Sequence, residues 1–222
     1  MTVTRRRFMT TIGNVGAGVY FSSLAGCGYS AQNLNRQKRP NFVFIMTDDQ
    51  PADAVGFMGR YPFLETPNMD KMAQEGAWFK NAFVTTSLCS PSRACFLTGC
   101  YAHRNTVTIN EKNDPSSQSP FMPELFQECG YETAFVGKWH TKEGDMPRKG
   151  FDYWLSFDGQ GEYFNPELNE NGRAFTAEGY ITDILTDFAV DWINRDREKP
   201  FCLFIWHKAA HAPFKPAPRH SG

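Results

Sequence analysis

Asn41-Phe42-Val43-Phe44-Ile45-Met46-Thr47-Asp48-Asp49 is the stretch that decides the fold class. After Pro40 the run is almost wholly apolar, and polarity returns abruptly at Thr47. It lacks the alternation of a half-solvated strand, so it predicts a strand covered on both faces, as in a parallel sheet. In open α/β sheets ligands bind beyond the carboxyl ends of the strands. The two acids that stop this run are therefore candidates for chemistry.

The same punctuation recurs downstream. Tyr131 to Val136 reads as a strand and leads into Lys138-Trp139-His140, and Phe201 to Trp206 reads as another and leads into His207 to His211. Helical segments lie between them. Thr66-Pro67 opens a helix through Glu75 that Gly76 ends, Pro91 and Gly99 bracket about two turns, and Pro123 to Glu128 is closed by Gly130. From Glu178 to Asn194 the residues Ile181, Leu185, Phe188, Ala189 and Trp192 share one helical face, with Asp183, Asp187 and Asp191 turned away. Trp78 to Val84 is also expected to be a strand. Strands alternating with helices predict an α/β fold with a mostly parallel central sheet flanked by helices. If the sheet is parallel, the three polar groups land on one rim. Phe151 to Phe175 differs, being rich in aromatic residues, Asn and Gly. Its Asn169-Glu170-Asn171-Gly172 is a turn signal, so a hairpin over the mouth of the site is expected. Tyr153, Trp154, Tyr163 and Phe164 suit stacking on a sugar ring, or else the core of that hairpin.

The chain has 222 residues, 41% of them apolar, and a net charge of −1. That is enough for one sizeable core, and the interspersed charges exclude a nucleic-acid footprint. An anionic substrate would need a local basic cluster instead, which Arg93, Lys138, His140 and His211 could form. Residues 1–27 read as a targeting segment: Thr4-Arg5-Arg6-Arg7-Phe8-Met9 resembles a twin-arginine export motif, and Leu24-Ala25-Gly26-Cys27 resembles a lipobox with Cys27 acylated. Residues 28–39 suit a tether, with residues 40–222 as the folded unit. The expected location is an exported periplasmic or cell-surface lipoprotein, touching membrane only through its lipid. Five cysteines remain beside Cys27, an odd number without regular spacing, so no disulfide framework is predicted. Cys95, Cys100, Cys129 and Cys202 are expected to be small buried apolar residues.

Adjacent carboxylates at a strand end are costly unless a cation neutralises them, so Asp48 and Asp49 suggest a hard divalent ion held by oxygen, with a solvated turn as the alternative. Cys89 stands just ahead of a helix opening at Pro91, where unpaired N–H groups favour an anion by ~0.3–1 kcal/mol. A thiolate nucleophile would gain there too. Arg93 is four residues on, one turn along the same face. Lys138 and His140 are two apart, and an extended backbone would point them the same way.

Cys89-Ser90-Pro91-Ser92-Arg93 followed by Thr98-Gly99 resembles the formylglycine signature of the type I sulfatases, members of the alkaline-phosphatase-like superfamily. Asp48-Asp49, Lys138-x-His140 and His211 match further family positions in order, although Ala210 stands where the family usually has proline. The resemblance implies that a formylglycine-generating enzyme converts Cys89 to an aldehyde. Its hydrate attacks sulfur and then expels sulfate, which a thiolate could not easily do. It implies Ca²⁺, or less readily Mg²⁺, on Asp48, Asp49 and position 89. It implies Arg93 stabilising the hydrate and its adduct, Lys138 on sulfate and nucleophile, His140 as proton acceptor, and His211 on sulfate and the leaving alcohol. The substrate implied is a sulfated glycan or small sulfate ester. Tyr163-Phe164-Asn165 to Tyr180-Ile181-Thr182-Asp183 looks similar to the N-acetylglucosamine-6-sulfatase branch. The family's second metal pair, an Asp-Asn, has no counterpart here, so the chain is expected to be a truncated sulfatase, weak or inactive alone. A phosphoester or phosphonate hydrolase of the same superfamily and a non-catalytic remnant are the alternatives.

Overall fold

The computed structural model describes residues 39–110, 113–118, 120–141 and 144–220. The targeting segment 1–27, Cys27 and all of the tether but Arg39 lie outside the described residues. Among the described residues no helix is long and apolar enough to cross a membrane.

Six strands form one sheet: β1 (Phe42–Met46), β2 (Glu132–Lys138), β3 (Tyr153–Phe157), β4 (Glu167–Glu170), β5 (Arg173–Thr176) and β6 (Phe201–Trp206), in the order β1-β6-β2-β3-β4-β5. The β1–β6, β6–β2 and β2–β3 pairs are parallel, while β3–β4 and β4–β5 are antiparallel. The mostly parallel sheet expected from the apolar runs is present, extended at one side by a hairpin. Asn171-Gly172 makes its turn, as the sequence predicts, with Asn171 and Gly172 at φ 51° and 91°. The hairpin does not cover the site, however. Asn171 N–H donates to Trp154 O near the start of β3, so its tip points away from the rim where the parallel strands end.

Helices α1 (Pro67–Glu75), α2 (Cys89–Thr98), α3 (Ala102–Asn105), α4 (Met122–Glu128) and α5 (Ile181–Ile193) fill the connections. The period-3.6 face of α5 is buried as predicted through Ile181, Leu185, Ala189 and Trp192. It packs on the sheet face formed by Ala134, Val136, Leu155, Leu203 and Ile205. The opposite face carries Phe135, Trp139, Trp154, Phe204 and Trp206, packed with Leu97 of α2 and Phe121. Phe135 lies 4.7 Å from Trp154 and 5.2 Å from Trp206, ring to ring. Each large buried side chain of this kind contributes about 1.5–3 kcal/mol. β2 and β6 approach closely at Gly137, where φ is 125° and an added Cβ would lie 1.9 Å from Trp206 O.

Three expectations need correction. β1 is not covered on both faces: it is an edge strand within the described residues, and Ile45 is 58% exposed. Apolar composition fixes strand tendency, whereas double coverage depends on neighbours outside the run. Trp78 to Val84 forms no strand. A β-competent run needs a partner edge, and here Trp78 instead packs edge-on against Phe57 at 5.0 Å. Of the cysteines expected to be buried only Cys202 is so; Cys95 and Cys100 are half-buried and Cys129 is exposed.

Candidate active site

The rim predicted from topology exists. In register Met46 faces Trp206 and Gly137 faces Trp206, so β1, β6 and β2 end level with one another. Asp48 N–H donates to Ala209 O at 2.9 Å, and Ala210 N–H donates to Asp48 O at 2.7 Å. The exits of β1 and β6 are thereby tied together. A proline at 210 would lack that N–H, so Ala210 secures the loop by a hydrogen bond. Tyr163 OH donates to His211 O at 2.5 Å and fixes the loop from the other side.

Asp48 is the hub. It is 5% exposed, and its Oδ2 accepts from Lys138 Nζ while lying 3.5 Å from Arg93 Nη2. Burial alone would raise its pKa, but the Lys138 hydrogen bond and the charges of Arg93, Lys138 and His211 prevail and hold it below the ordinary carboxylate range. Arg93 is buried, donates to Lys138 O at 2.7 Å, and its guanidinium carbon lies 4.9 Å from the centre of the Trp206 ring. Its place four residues beyond Cys89 on α2 puts both on this rim, as the helical spacing predicts.

Cys89 is the first residue of α2, so the helix begins ahead of Pro91. Ser90 N–H, one of the donors the helix itself leaves unpaired, is satisfied by Asn110 Oδ1 at 3.0 Å. Cys89 Sγ lies 3.7 Å from Asp48 Oδ1. Burial, and then the negative charge of Asp48, push the thiol pKa up against the opposing pull of Lys138 and Arg93.

His140 and Lys138 face the same side, though not through extended backbone: His140 has φ 58°, in the left-handed region. Both meet Gln160. Its Oε1 accepts from Lys138 Nζ at 2.5 Å, and its Nε2 is 3.3 Å from His140 Nε2. Ser90 Oγ donates to His140 O, linking α2 to the turn after β2. His211 Nε2 is 3.5 Å from Asp49 Oδ2, and the Asp49 side chain is 57% exposed. Lys208 is buried, donates to Gln160 O at 2.8 Å and lies over the Tyr163 ring; burial and then Lys138 lower its pKa.

Asp48, Cys89 and His211 each offer a donor atom, all within 4.8 Å of one another. A thiol and an imidazole are soft partners for a calcium-like ion. Of the oxygen donors expected, Asp48 lies in this group and Asp49 stands outside it beside His211 at 3.5 Å, so such an ion would need an oxygen at position 89.

Sequence reading missed Gln160, Lys208 and Asp114. Asp114 is buried and accepts from Ser116 N at 2.7 Å, Trp139 Nε1 at 3.0 Å, Thr141 Oγ1 at 2.9 Å and Arg148 Nε at 2.5 Å. It clamps both residues that flank His140. The signal for Gln160 was available: it follows β3, a fourth parallel strand, and the strand-end rule applies there too. Of the two readings of the aromatic residues, core holds for Tyr153, Trp154 and Tyr163, and Phe164 alone of the four is exposed.

The sequence profile of the sulfatase family matches residues 40–222. The chain belongs to the sulfatase family. An N-acetylglucosamine-6-O-sulfatase of Bacteroides thetaiotaomicron is 42% identical over 204 residues, covering 90% of this chain and 35% of that protein. The human N-acetylglucosamine-6-sulfatase is 31% identical over 205 residues, covering 82% and 36%. A protein solved in complex with its substrate D-glucosamine-2-N,6-O-disulfate superposes with a TM-score of 0.76 at 43% identity, covering 82% of this chain and 37% of that one. The chain thus spans about a third of the length of these sulfatases.

Proposed function

We propose that the protein hydrolyses sulfate esters of a sulfated glycan, with a 6-O-sulfated amino sugar as its substrate. The observation that carries this reading is the convergence of Arg93, Lys138 and His211 around Cys89 and Asp48 on one strand-end rim, with His140 joined to Lys138 through Gln160. Relatives named for glucosamine 6-sulfate esters supply the substrate class. Conversion of Cys89 by a formylglycine-generating enzyme is supported by the Cys89-Ser90-Pro91-Ser92-Arg93 motif within a chain of the sulfatase family. When hydrated, the aldehyde supplies one hydroxyl that bonds to sulfur and a second whose deprotonation releases sulfate. Asp48 and Asp49, with the oxygen at position 89, would hold Ca²⁺, which offsets sulfate charge; Mg²⁺ demands stricter octahedral geometry.

The chain's own residues do the rest. Arg93, locked on the Lys138 carbonyl, and Lys138 present fixed positive charge to an anion, and such preorganised charge is worth most where water is excluded. His211, on its tied loop, donates a proton to the departing alcohol as the ester O–S bond breaks. His140 accepts the proton of the second hydroxyl as the bond to sulfate breaks and the aldehyde reforms. Export through the twin-arginine leader and acylation at Cys27 would put this chemistry outside the cell, where polysaccharide is found; loss of lipid labelling in Cys27→Ala tests that part.

The test of the reaction is mass analysis of the tryptic peptide Asn81–Arg93 from protein co-expressed with the converting enzyme, together with sulfate release from a 6-O-sulfated amino sugar. Aldehyde mass is expected, with sulfate release weak unless metal ligands beyond Asp48 and Asp49 are supplied. An unmodified thiol without turnover would leave a non-catalytic remnant, and phosphate release exceeding sulfate release would replace the reading with a phosphoester hydrolase.

A further inference from the structure

We propose that Gln160 is a positioning residue that fixes the tautomer of His140, holding the lone pair on Nε2, and tethers Lys138 beside it. Gln160 stands in Gly159-Gln160-Gly161 beyond the carboxyl end of β3, with the two glycines at φ 52° and 62°. The loop has little freedom. Lys208 Nζ donates to Gln160 O at 2.8 Å, Gly161 N–H donates to Asp158 O at 3.1 Å, and a Cβ on Gly161 would lie 2.4 Å from the Phe157 ring.

The tautomer follows from donor counting. An ammonium can only donate, so the Gln160 atom 2.5 Å from Lys138 Nζ is the amide oxygen. The amide nitrogen then faces His140 Nε2 at 3.3 Å. An amide N–H₂ also only donates, so His140 Nε2 must accept and the ring proton belongs on Nδ1. An imidazolium would oppose a second N–H to that amide. The ring's place is set as well, because Ser90 Oγ holds His140 O and the backbone there is left-handed. Gln160 thus keeps the ring neutral with its lone pair on Nε2, and the amide must release that nitrogen before it can take a proton. The catalytic consequence rests on the sulfatase reading; the tautomer does not.

The test uses the intact protein with ¹⁵N-labelled histidine, the His140 signals being assigned by His140→Gln. Wild type is expected to show a non-protonated Nε2 and a protonated Nδ1. In Gln160→Glu a carboxylate would accept from both neighbours, so the proton should move to Nε2. At saturating sulfated amino sugar kcat should fall about a hundredfold, at the low end of what a general base supplies, with KM nearly unchanged. Gln160→Met keeps the volume and removes the donor, and carries the test if the Glu variant fails to fold: it should lose the fixed tautomer and lower kcat about tenfold. A protonated Nε2 in wild type, or variants whose tautomer is unmoved and whose rate loss merely follows lost thermal stability, would overturn the proposal. If wild type releases no sulfate, the functional reading fails, and the nitrogen signals still decide the role of Gln160.

Discussion

Two buried carboxylates near the same rim, Asp48 and Asp114, face similar partners and serve different ends. Each has its pKa held low against burial by hydrogen bonds and neighbouring cations. Asp114 is saturated by a backbone N–H, an indole, a hydroxyl and one arginine, all from elements of the fold. Asp48 has two cations crowded on one oxygen, while its other oxygen looks toward the Cys89 sulfur. A carboxylate whose acceptor capacity is filled holds structure together. One with positive charge in excess and an oxygen turned toward a reactive side chain is arranged for an incoming anion.

The contrast can be broken experimentally. Its largest expression should be Cys89→Ala in the intact protein: sulfate release should fall by about a thousandfold or more, as for removal of other covalent nucleophiles, with almost no change in melting temperature. Retained turnover would end the argument for the Asp48 side. Next, Asp114→Ala strands the buried Arg148 and should cost about 3–5 kcal/mol in chemical unfolding; a loss under about 1 kcal/mol would mean the clamp is dispensable. Lys138→Met should show the reverse profile. Sulfate release drops about a hundredfold, while stability moves by less than about 1 kcal/mol, because relief of cation crowding offsets the lost ion pair. Equal losses from Lys138→Met and Asp114→Ala in both assays would erase the distinction. The smallest effect is with pH. Both acids are depressed in the folded state, so their stabilisation is fully present above the unfolded carboxylate pKa of about 3.9 and lost as pH falls further through the folded values. An unfolding titration should be flat in this contribution from neutrality to mildly acid pH and decline below pH ~4, and Asp114→Asn should flatten that decline.

Much of the Asp48 side was legible in the sequence, because apolar runs that stop at polar residues mark strand ends, and parallel topology gathers those ends. The spacing of Cys89 and Arg93 on a helix was equally readable. Asp114 was not: Asn113-Asp114-Pro115 reads as a turn, and its partners Trp139 and Arg148 come to it through tertiary packing alone. Gln160 was hidden for a related reason, since a polar residue between two glycines carries no periodicity. The exposure of β1 and the irregular path of Trp78 to Val84 depend on which edges lie nearby, a matter local composition does not encode.

Gly137 carries a lasting constraint. Because the carbonyl of Trp206 occupies the space any side chain would need, substitution there would wedge two neighbouring strands apart directly before Lys138. A library aimed at altering which sugar is accepted should therefore leave this seam untouched, together with the loops that carry Gln160 and His211, since Lys138 and, through its carbonyl, Arg93 are held from it.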